Sequence, residues 1–551
     1  MMRKYFITGG TVLVGIVLGL LFQPLISGDN VYDQVKKFDR ILNMAMRNYV
    51  DEVDTQKLTE AAIRGMLEEL DPHSVYLTAE EMKGVNEDFQ GSFEGVGIEF
   101  AILEDTLTVV SPISGGPSEA LGIQSGDKIV KVDGEDVVGI KQSDVPKKLR
   151  GEKGTTVVLE IKRSGVKDLM KFSVVRDKIP LNSVESSFVI DGTDIGVISI
   201  NRFMATTHKE MLTALSELKA QGMKKLILDL RYNPGGYLDQ AYKVADEFLG
   251  NNDTIVYTIG RKPEFNDAFI ATNGNTWENI PVIVLVNEGS ASASEIVSGA
   301  IQDQDRGLII GETSFGKGLV QRQYPLGDGS AFRLTISRYY TPSGRCIQRS
   351  YADKSGYRNL SGRLELEEGS YIDHSLNKLK QQVEKFNEKA KNEKDKIKFD
   401  SLPLYKTRGG RTVFGAGGIT PDVIIKADTI TMLSREIRMK RLFFTYTDAF
   451  LNEHKDFKAK YENNFKAYLH DFKITDAMMK DFRKMAEKEG IKWDADQAKK
   501  DRDFLEISIK ATMARTLWDR NKSMQIFSGL DRQMMDATKY FPDAMKISKK
   551  K

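Results

Sequence analysis

Two short segments of this sequence carry residue types that together could perform nucleophilic acyl transfer, and the first of them surrounds Ser292. In VIVLVNEGSASASEIVSGA, this serine stands between an apolar strand-like run and an apolar helical run. A serine at a strand-to-helix turn is exposed, and the unpaired N–H groups and partial positive charge of the helix start could stabilise an oxyanion beside it. Ser292 and Glu295 also fit the S-x-x-E capping box, so an ordinary helix cap is the alternative interpretation of this segment.

The second segment, GLIIGETSFGKGLVQ, places Lys317 on a tight loop between Gly316 and Gly318. A lysine kept from water loses its preference for the charged form, so its pKa falls and the neutral amine can accept a proton from a serine hydroxyl. Gln321 could accept a hydrogen bond from that amine and fix its direction. A lysine between glycines is also common in solvated loops, and the segment alone does not decide between the two.

Other chemistries fit the sequence less well. Gly311 to Lys317 matches the first seven positions of a phosphate-binding loop, but Gly318 stands where a Ser or Thr should bind magnesium, which disfavours an NTPase. None of the five histidines lies in a motif of a Ser-His-Asp triad. The single cysteine, Cys346, excludes an intrachain disulfide framework and a multi-cysteine zinc site. Because 80 basic residues nearly balance 78 acidic ones, a nucleic-acid partner is not expected.

The motifs GSASASEI and GETSFGKGLVQ, with LDLRYNPGG upstream, resemble those of the carboxy-terminal processing (tail-specific) peptidases. This resemblance implies that Ser292 is the nucleophile, Lys317 the general base and Gln321 the residue that orients the lysine. It also implies a protease core of the crotonase and Clp type. LDPHSVYL and SRYYTPSGRCIQ look like further family segments, so the resemblance extends over roughly residues 31–426.

The same resemblance implies an oxyanion hole made of backbone N–H groups. These belong to Ala293 and to the turn Asn233-Pro234-Gly235-Gly236, in which either glycine could be the donor. Asp303, on the helix after the nucleophile, is a candidate supporting residue, although a structural polar contact would explain it equally well.

A glycine-punctuated segment with strand-like alternation resembles a PDZ domain, through GVGIEF and SEALGIQSGDKIVKVDG. A PDZ domain adds a peptide to its sheet as an extra strand, and loop N–H groups receive the terminal carboxylate. The resemblance implies that Gly95, Val96, Gly97 and Ile98 form that loop, whereas glycines that serve only a tight turn are the alternative. Arg150 resembles a position at which the PDZ domain of the family senses bound peptide.

Around these motifs the periodicity of apolar residues predicts a multidomain α/β protein with a compact β-rich module and helical N- and C-terminal regions. The resemblance implies that the core is crotonase- or Clp-like and that the β-rich module is a PDZ domain, and the apolar amino terminus adds an N-terminal anchor. The predicted segments are a transmembrane anchor or signal at 1–28, a helical domain at 29–90, the PDZ domain at 91–180, the protease core at 181–350 and 402–426, a charged insertion at 351–401 and a C-terminal helical domain at 427–551.

The amino terminus suggests the compartment. Arg3 and Lys4 precede an almost charge-free run from Tyr5 to Ser27, which is long enough for a spanning helix of about 20 residues with its basic end in the cytoplasm. A cleaved signal peptide is the alternative, although no clear small-residue cleavage site follows. We therefore expect the catalytic domain in the cell envelope, anchored to the inner membrane on its periplasmic side, or free in the periplasm if the signal is cleaved.

These observations predict a serine endopeptidase that recognises the C-terminal tails of cell-envelope proteins and cleaves them through an acyl-enzyme. The expected partners are proteins or peptides with free C-termini, the membrane, and a second copy or an adaptor protein. No metal and no organic cofactor is implied. A catalytically silent, membrane-tethered PDZ scaffold is the alternative function.

Overall fold

The computed structural model describes residues 31–103, 105–113, 115–352, 357, 366–372, 375–389, 396, 398–399, 402–415 and 417–549. The predicted anchor, Tyr5 to Ser27, lies outside these residues. No helix within the described ranges is both long and apolar enough to cross a bilayer. The chain divides into two compact units, Met1–Tyr76 and Leu77–Lys551.

The described residues of the first unit, from Val31 onward, include the helices Val31–Asn48 and Thr55–Leu70. Asp54 caps the second helix by accepting a hydrogen bond from the Lys57 amide at 3.1 Å. The helix ends directly before Asp71-Pro72, as expected because proline disfavours helical geometry in the preceding residue. The short strand Val75–Leu77 follows at the junction of the two units.

The second unit begins with the helix Ala79–Gln90 and continues into a β-rich module over the residues predicted as a PDZ domain. One edge strand of its main sheet is Ile98–Leu103, which among the described residues pairs on one side, with Thr106–Pro112. The other elements of this module are Lys128–Val132, Glu135–Asp136, Thr156–Lys162 and Met170–Val175 in the same sheet, the separate pair Ser92–Gly95 and Asp177–Pro180, and the helices Pro117–Ala120 and Val145–Leu149.

A seven-stranded, mostly parallel sheet forms the centre of the protease core. Its strands, in spatial order, are Val184–Val189, Ile195–Ile200, Lys225–Asp229, Val282–Val286, Leu308–Gly311, Val423–Ile424 and Gly369–Ser370. The two edge strands are antiparallel to their neighbours, and the five inner strands are parallel. The carboxyl ends of the parallel strands therefore share one edge, where active sites of α/β proteins usually lie.

Both faces of the inner part of this sheet are buried, and its strands Ile195–Ile200 and Val282–Val286 are accordingly almost continuously apolar rather than alternating in polarity. One face packs on the helices Thr207–Ala220, Leu238–Asp246 and Ala293–Asp303. The other face packs on the last two α-helices of the chain, Arg532–Ala537 and Phe541–Ser548, through residues such as Met534 and Phe541. The end of the chain thus completes the protease core.

A second, antiparallel sheet carries the lysine segment. Its strands are Thr254–Gly260, Asp267–Ile270, Leu319–Pro325 and Ala331–Tyr340, with the 3₁₀ turn Pro263–Phe265 between the first two. The hairpin Leu404–Lys406 and Thr412–Phe414 lies before the last core strand. Within the predicted charged insertion, the helix Leu376–Lys389 buries Leu379 and Val383, so it is amphipathic rather than fully solvated.

The predicted C-terminal helical region has two parts. The first has its own core around two stripes of helical spacing. The stripe residues that are buried are Met478, Phe482, Leu505, Ile509 and Met513, whereas Met485 and Leu517 are half-buried. Its helices are Met432–Met439, Leu442–Glu453, Lys455–Tyr461, Phe465–Asp471, Asp476–Lys488, Ala495–Lys500, Arg502–Leu517 and Arg520–Phe527. The second part consists of the two helices on the central sheet, with the 3₁₀ turns Ser528–Leu530 and Thr538–Tyr540 beside them.

Candidate active site

Ser292 lies at the turn between the core strand Val282–Val286 and the helix Ala293–Asp303, as the sequence predicts. Its backbone has φ of 54° and ψ of −110°, a conformation that L-residues rarely adopt. The turn is held from both sides, because the Ala291 amide and the Ser294 hydroxyl donate to the Asn233 carbonyl at 3.0 and 2.9 Å. The fold therefore stabilises the strained serine.

The predicted oxyanion turn packs directly against this serine. A side chain on Gly235, whose φ is +98°, would come within 2.8 Å of Ser292 Cβ and 2.9 Å of the Ala293 nitrogen, so only glycine fits. The Gly235 amide already donates to Asn233 Oδ1 at 2.9 Å. Within the described part of the chain, the Gly236 and Ala293 amides have no acceptor. Of the two glycines, Gly236 is the one whose N–H is available to an oxyanion.

The lysine loop brings the second predicted group to the same place. Lys317 Nζ donates to Gln321 Oε1 at 2.9 Å, the contact that the sequence led us to expect. Gln321 can make this contact because it lies on the strand Leu319–Pro325, directly after the loop. Ser292, Lys317 and Gln321 all line one cleft of about 750 Å³, together with Gly235, Gly236 and Ala293.

Glu295 joins the nucleophile turn to the lysine loop. Its Oε2 accepts from the Ser292 amide at 2.8 Å and the Lys317 amide at 2.9 Å. Its Oε1 accepts from the Gly316 amide at 2.7 Å and the Ser314 hydroxyl at 2.6 Å. Burial raises the pKa of this carboxyl, while the four donors favour the charged form and act in the opposite direction. One buried side chain thus fixes the distance between two segments of the candidate site.

Tyr339 forms a second bridge between the same segments. Its hydroxyl donates to the Lys317 carbonyl at 2.6 Å and lies 3.2 Å from the Ser292 carbonyl. Burial raises the pKa of this phenol well above its usual value, so it stays protonated and remains a donor. Tyr339 lines the cleft from the strand Ala331–Tyr340.

The oxyanion turn is also supported from the end of the chain. Arg231, two residues before Asn233 of the turn, forms ion pairs with Asp229 at 2.6 Å and Asp531 at 2.5 Å. It also donates to Gln533 Oε1 at 2.9 Å. Burial acts to lower the pKa of this guanidinium, but the two carboxylates outweigh it and raise the pKa. The C-terminal segment therefore holds the residue that leads into the turn.

The predicted peptide-binding loop also lies at an open groove. Val96, Gly97 and Ile98 line a cavity of about 350 Å³ between the edge strand Ile98–Leu103 and the helix Val145–Leu149. In the described ranges, the Val96 and Gly97 amides have no acceptor, whereas Gly95 belongs to a strand that pairs with Asp177–Pro180. Gly97 has a φ of +71°, and a Cβ there would lie 2.9 Å from Ile179 Cδ1.

Arg150 connects this groove to the protease cleft. Its guanidinium lies 4.5 Å from the ring centroid of Phe93, a residue of the groove. It also forms an ion pair at 2.5 Å with Glu87, on the helix Ala79–Gln90, and that helix contributes Phe89 to the cleft. The side chain therefore contacts both binding surfaces through neighbouring residues.

Asp303 is not brought to the cleft. It is the last residue of the helix that Ser292 begins, so about 16 Å of helix separates the two residues. It forms a fully buried ion pair with Arg345 at 2.8 Å and accepts from the Ser343 hydroxyl at 2.7 Å. This is the structural polar contact that the sequence left open as the alternative.

Sequence reasoning missed Glu295, Tyr339, Arg231 and Asp531 as residues of the site. Glu295 stands out in the sequence only as the return half of a capping box, and that half is formed. Arg231 lies in the motif LDLRYNPGG and Tyr339 in SRYYTPSGRCIQ, so both segments drew attention without a role for these side chains. Asp531 lies in a region with no recognised motif, and no sequence signal could have linked it to Arg231.

Family models match four parts of the chain. They describe the activating protease CtpB N-terminal domain at residues 25–81, a PDZ domain at 95–174, peptidase family S41 at 194–353 and a family of unknown function at 433–519. A carboxy-terminal-processing protease of Bartonella bacilliformis is 41% identical over 356 residues, which cover 63% of this chain and 81% of the relative. The chain belongs to the carboxy-terminal processing proteases of peptidase family S41.

Membership in this family makes the chain a serine-type peptidase with a PDZ domain. The carboxy-terminal processing protease CtpB of Bacillus subtilis is 34% identical over 352 residues, 63% of this chain and 72% of the relative. A solved structure described as the photosystem II D1 C-terminal processing protease aligns with 55% of this chain and 82% of its own, at 31% identity and a TM-score of 0.31. The match to the family of unknown function falls on the C-terminal helical region.

Proposed function

We propose that this protein is an endopeptidase that captures the C-terminal tails of cell-envelope proteins in its PDZ groove and cleaves them by a Ser-Lys mechanism. Ser292 attacks the scissile carbonyl while neutral Lys317 accepts the hydroxyl proton, and Gln321 orients the amine. The observation that carries this proposal is the arrangement of Ser292, Lys317 and Gln321 along one cleft, with Lys317 Nζ 2.9 Å from Gln321 Oε1.

The tetrahedral intermediate would be stabilised by the backbone amides of Gly236 and Ala293. Ala293 directly follows Ser292, and Gly236 follows Gly235, which packs against Ser292. Both residues line the cleft, and neither amide has an acceptor in the described ranges. A pair of preorganised N–H donors beside the nucleophile is the usual form of an oxyanion hole. Collapse of the intermediate gives an acyl-enzyme on Ser292, and the protonated Lys317 supplies the proton that the leaving amine needs. Water then releases the new carboxyl terminus.

Substrate capture is assigned to the groove at Gly95 to Ile98. A peptide added beside the edge strand Ile98–Leu103 would complete its unpaired side, and its terminal carboxylate would accept from the Val96 and Gly97 amides. We assign to Arg150 the role of a sensor, because it touches Phe93 in the groove and Glu87 on a helix of the cleft wall. Peptide that enters the groove would change both contacts.

We further propose that the apolar run from Tyr5 to Ser27 anchors the protein in the inner membrane, with the catalytic domain in the periplasm. A second copy or an adaptor protein is the expected partner besides substrate. Fractionation of cells into membrane and periplasm, followed by sequencing of the mature amino terminus, distinguishes a retained anchor from a cleaved signal.

The central experiment compares wild type with Ser292→Ala on a peptide that carries an apolar free C-terminus. Loss of one half-buried hydroxyl should leave the protein folded, at a cost of at most about 0.5 to 2 kcal/mol even if the serine caps its helix. Cleavage and covalent labelling by a serine-directed fluorophosphonate should both disappear. Cleavage by Ser292→Ala within tenfold of wild type would remove Ser292 from the mechanism, and retained peptide binding without cleavage in the wild type would indicate a silent scaffold.

A further inference from the structure

The charges that line the catalytic cleft are unequally neutralised. Its carboxylates already have cationic partners, since Asp88 pairs with Arg202 at 2.9 Å and Asp239 with Lys243 at 3.2 Å. Arg333 lines the same cleft from the strand Ala331–Tyr340. Among the described residues, no carboxylate lies within ion-pair distance of it.

The surroundings of Arg333 are those of a cation held for a ligand. Its guanidinium lies 5.7 Å from the ring centroid of Phe89 and donates to Gln323 Oε1 at 3.3 Å. The side chain is partly buried, and burial lowers its pKa with no anionic group to counteract it. A partly buried cation without a counter-charge is costly, and a carboxylate from outside the protein would relieve that cost.

Strand register places Arg333 close to the reacting groups. Gln321 pairs with Thr335, and Gln323 pairs with Arg333, so the two pairs are successive on one face of the sheet. Gln321 is the residue that binds Lys317 Nζ. Successive pairs on one face of a sheet are about 6.6 to 6.8 Å apart along the strand. This distance equals the length of about two residues of an extended substrate.

We propose that Arg333 is a specificity-determining residue that binds a carboxylate of the substrate within about three residues of the scissile bond. The substrates that this cleft favours then carry an acidic residue near the cleavage site. This inference rests on the proposed peptidase function and adds a substrate class to it. Guanidinium is suited to this task because it forms charge-assisted hydrogen bonds with a carboxylate, often two at once.

The carboxylate can have two sources. It belongs either to an Asp or Glu side chain, or to the free C-terminus of the substrate when cleavage takes place close to the end. Two peptide series separate them. The first series consists of C-terminally amidated peptides, in which Gln is replaced by Glu at one position at a time, over the three positions on either side of the scissile bond. In peptides that contain only Gln, the free and amidated C-termini are compared.

The measured quantity is the ratio of kcat/KM for the carboxylate peptide to that for its neutral match. For wild type we expect a ratio of about 10 or more at one or two positions, falling as salt is raised. Arg333→Gln should bring the ratio near 1, Arg333→Lys should keep part of it, and Arg333→Glu should favour Lys-containing peptides. The control, Arg338→Gln, removes an exposed arginine of the same strand that does not line the cleft, and should keep the wild-type ratio.

The outcomes are distinct for the two proposals. A wild-type ratio near 1 at every position in both series overturns the role of Arg333 whatever the variants do. The role of Arg333 is also overturned if Arg333→Gln and Arg338→Gln both keep the wild-type ratio. An effect of amidation that arises only in the PDZ groove would give this result, because it does not depend on Arg333. If wild type cleaves no peptide, or if cleavage survives in Ser292→Ala, the proposed function fails first. Melting temperatures confirm that each variant is folded.

Discussion

Among the described residues, the candidate catalytic cleft and the PDZ groove both present backbone amides that have no acceptor, but the fold builds the two sites in different ways. The groove uses one continuous segment, in which Val96 and Gly97 link two strands and Gly97 has a positive φ. The cleft combines segments that are far apart in the sequence, and side chains fix their relative positions. Glu295 and Tyr339 hold the Ser292 turn against the Lys317 loop.

This difference teaches where each site is vulnerable. Substitution of a buried side chain should damage the cleft strongly, because it changes the distance between two segments. The groove should respond mainly to changes in its backbone or in the terminal group of its ligand. The following predictions test this comparison, from the largest expected effect to the smallest.

The largest effect is expected at Lys317. Lys317→Arg keeps the positive charge, but a guanidinium remains protonated in proteins and cannot accept the serine proton. We expect a loss of at least about 10³-fold in kcat, equal to that of Lys317→Ala. Gln321→Ala should retain part of the activity, because the base survives without its hydrogen-bond partner. Steady-state kinetics on one peptide compares all three, and an active Arg variant would rule out the Ser-Lys mechanism.

Glu295→Gln should cause the next largest loss. Each carboxylate oxygen of Glu295 accepts two hydrogen bonds. In the glutamine variant the side-chain NH₂ replaces one of these oxygens and faces two donors, from which it cannot accept a hydrogen bond. We expect about 1 to 3 kcal/mol of lost stability and a loss of kcat of about 10². Thermal unfolding and kcat are measured beside Glu217→Gln, which changes an exposed glutamate of another helix. Wild-type kcat in Glu295→Gln would show that this carboxylate does not position the site.

A smaller effect is expected when the terminal carboxylate of a peptide is amidated. The Val96 and Gly97 amides would then lose a charged acceptor worth about 1.5 to 3 kcal/mol, which is about a 10- to 100-fold change in Kd. Binding is measured by fluorescence anisotropy in Ser292→Ala, so that the peptide stays intact. Gly97→Ala should weaken binding of the free peptide, because its φ of +71° and its contact with Ile179 exclude a side chain. Equal affinity for both peptides would mean that the groove binds internal segments.

The smallest effect is expected for Tyr339→Phe. Loss of the hydroxyl removes one neutral hydrogen bond to the Lys317 carbonyl, worth about 0.5 to 1.5 kcal/mol, so kcat should fall by about 2- to 12-fold. The KM should change less than kcat, because the bond positions the catalytic loop rather than the substrate. Tyr340→Phe is the matched control, since Tyr340 is the adjacent tyrosine and stacks on Tyr257. Equal losses in the two variants would contradict a positioning role for Tyr339.

Much of the chain could be predicted from local patterns. Phe482 and Ile509, which belong to apolar stripes of two different helices, are buried as helical spacing predicts, and the helix before Asp71-Pro72 ends where proline requires. The strand-to-helix turn at Ser292 and the glycines at 235 and 236 also follow from the sequence. These features depend on neighbours within a few residues, so periodicity and turn chemistry are sufficient to find them.

The tertiary structure decided which groups meet. The sequence does not reveal that Gly235 donates its amide to Asn233 and leaves Gly236 available, or that Glu295 is shared by two loops. The pair Arg231 and Asp531 joins residues 300 positions apart, and it brings the end of the chain to the oxyanion turn. Such contacts depend on burial and on charges brought together by the packed sheet, which no local pattern specifies.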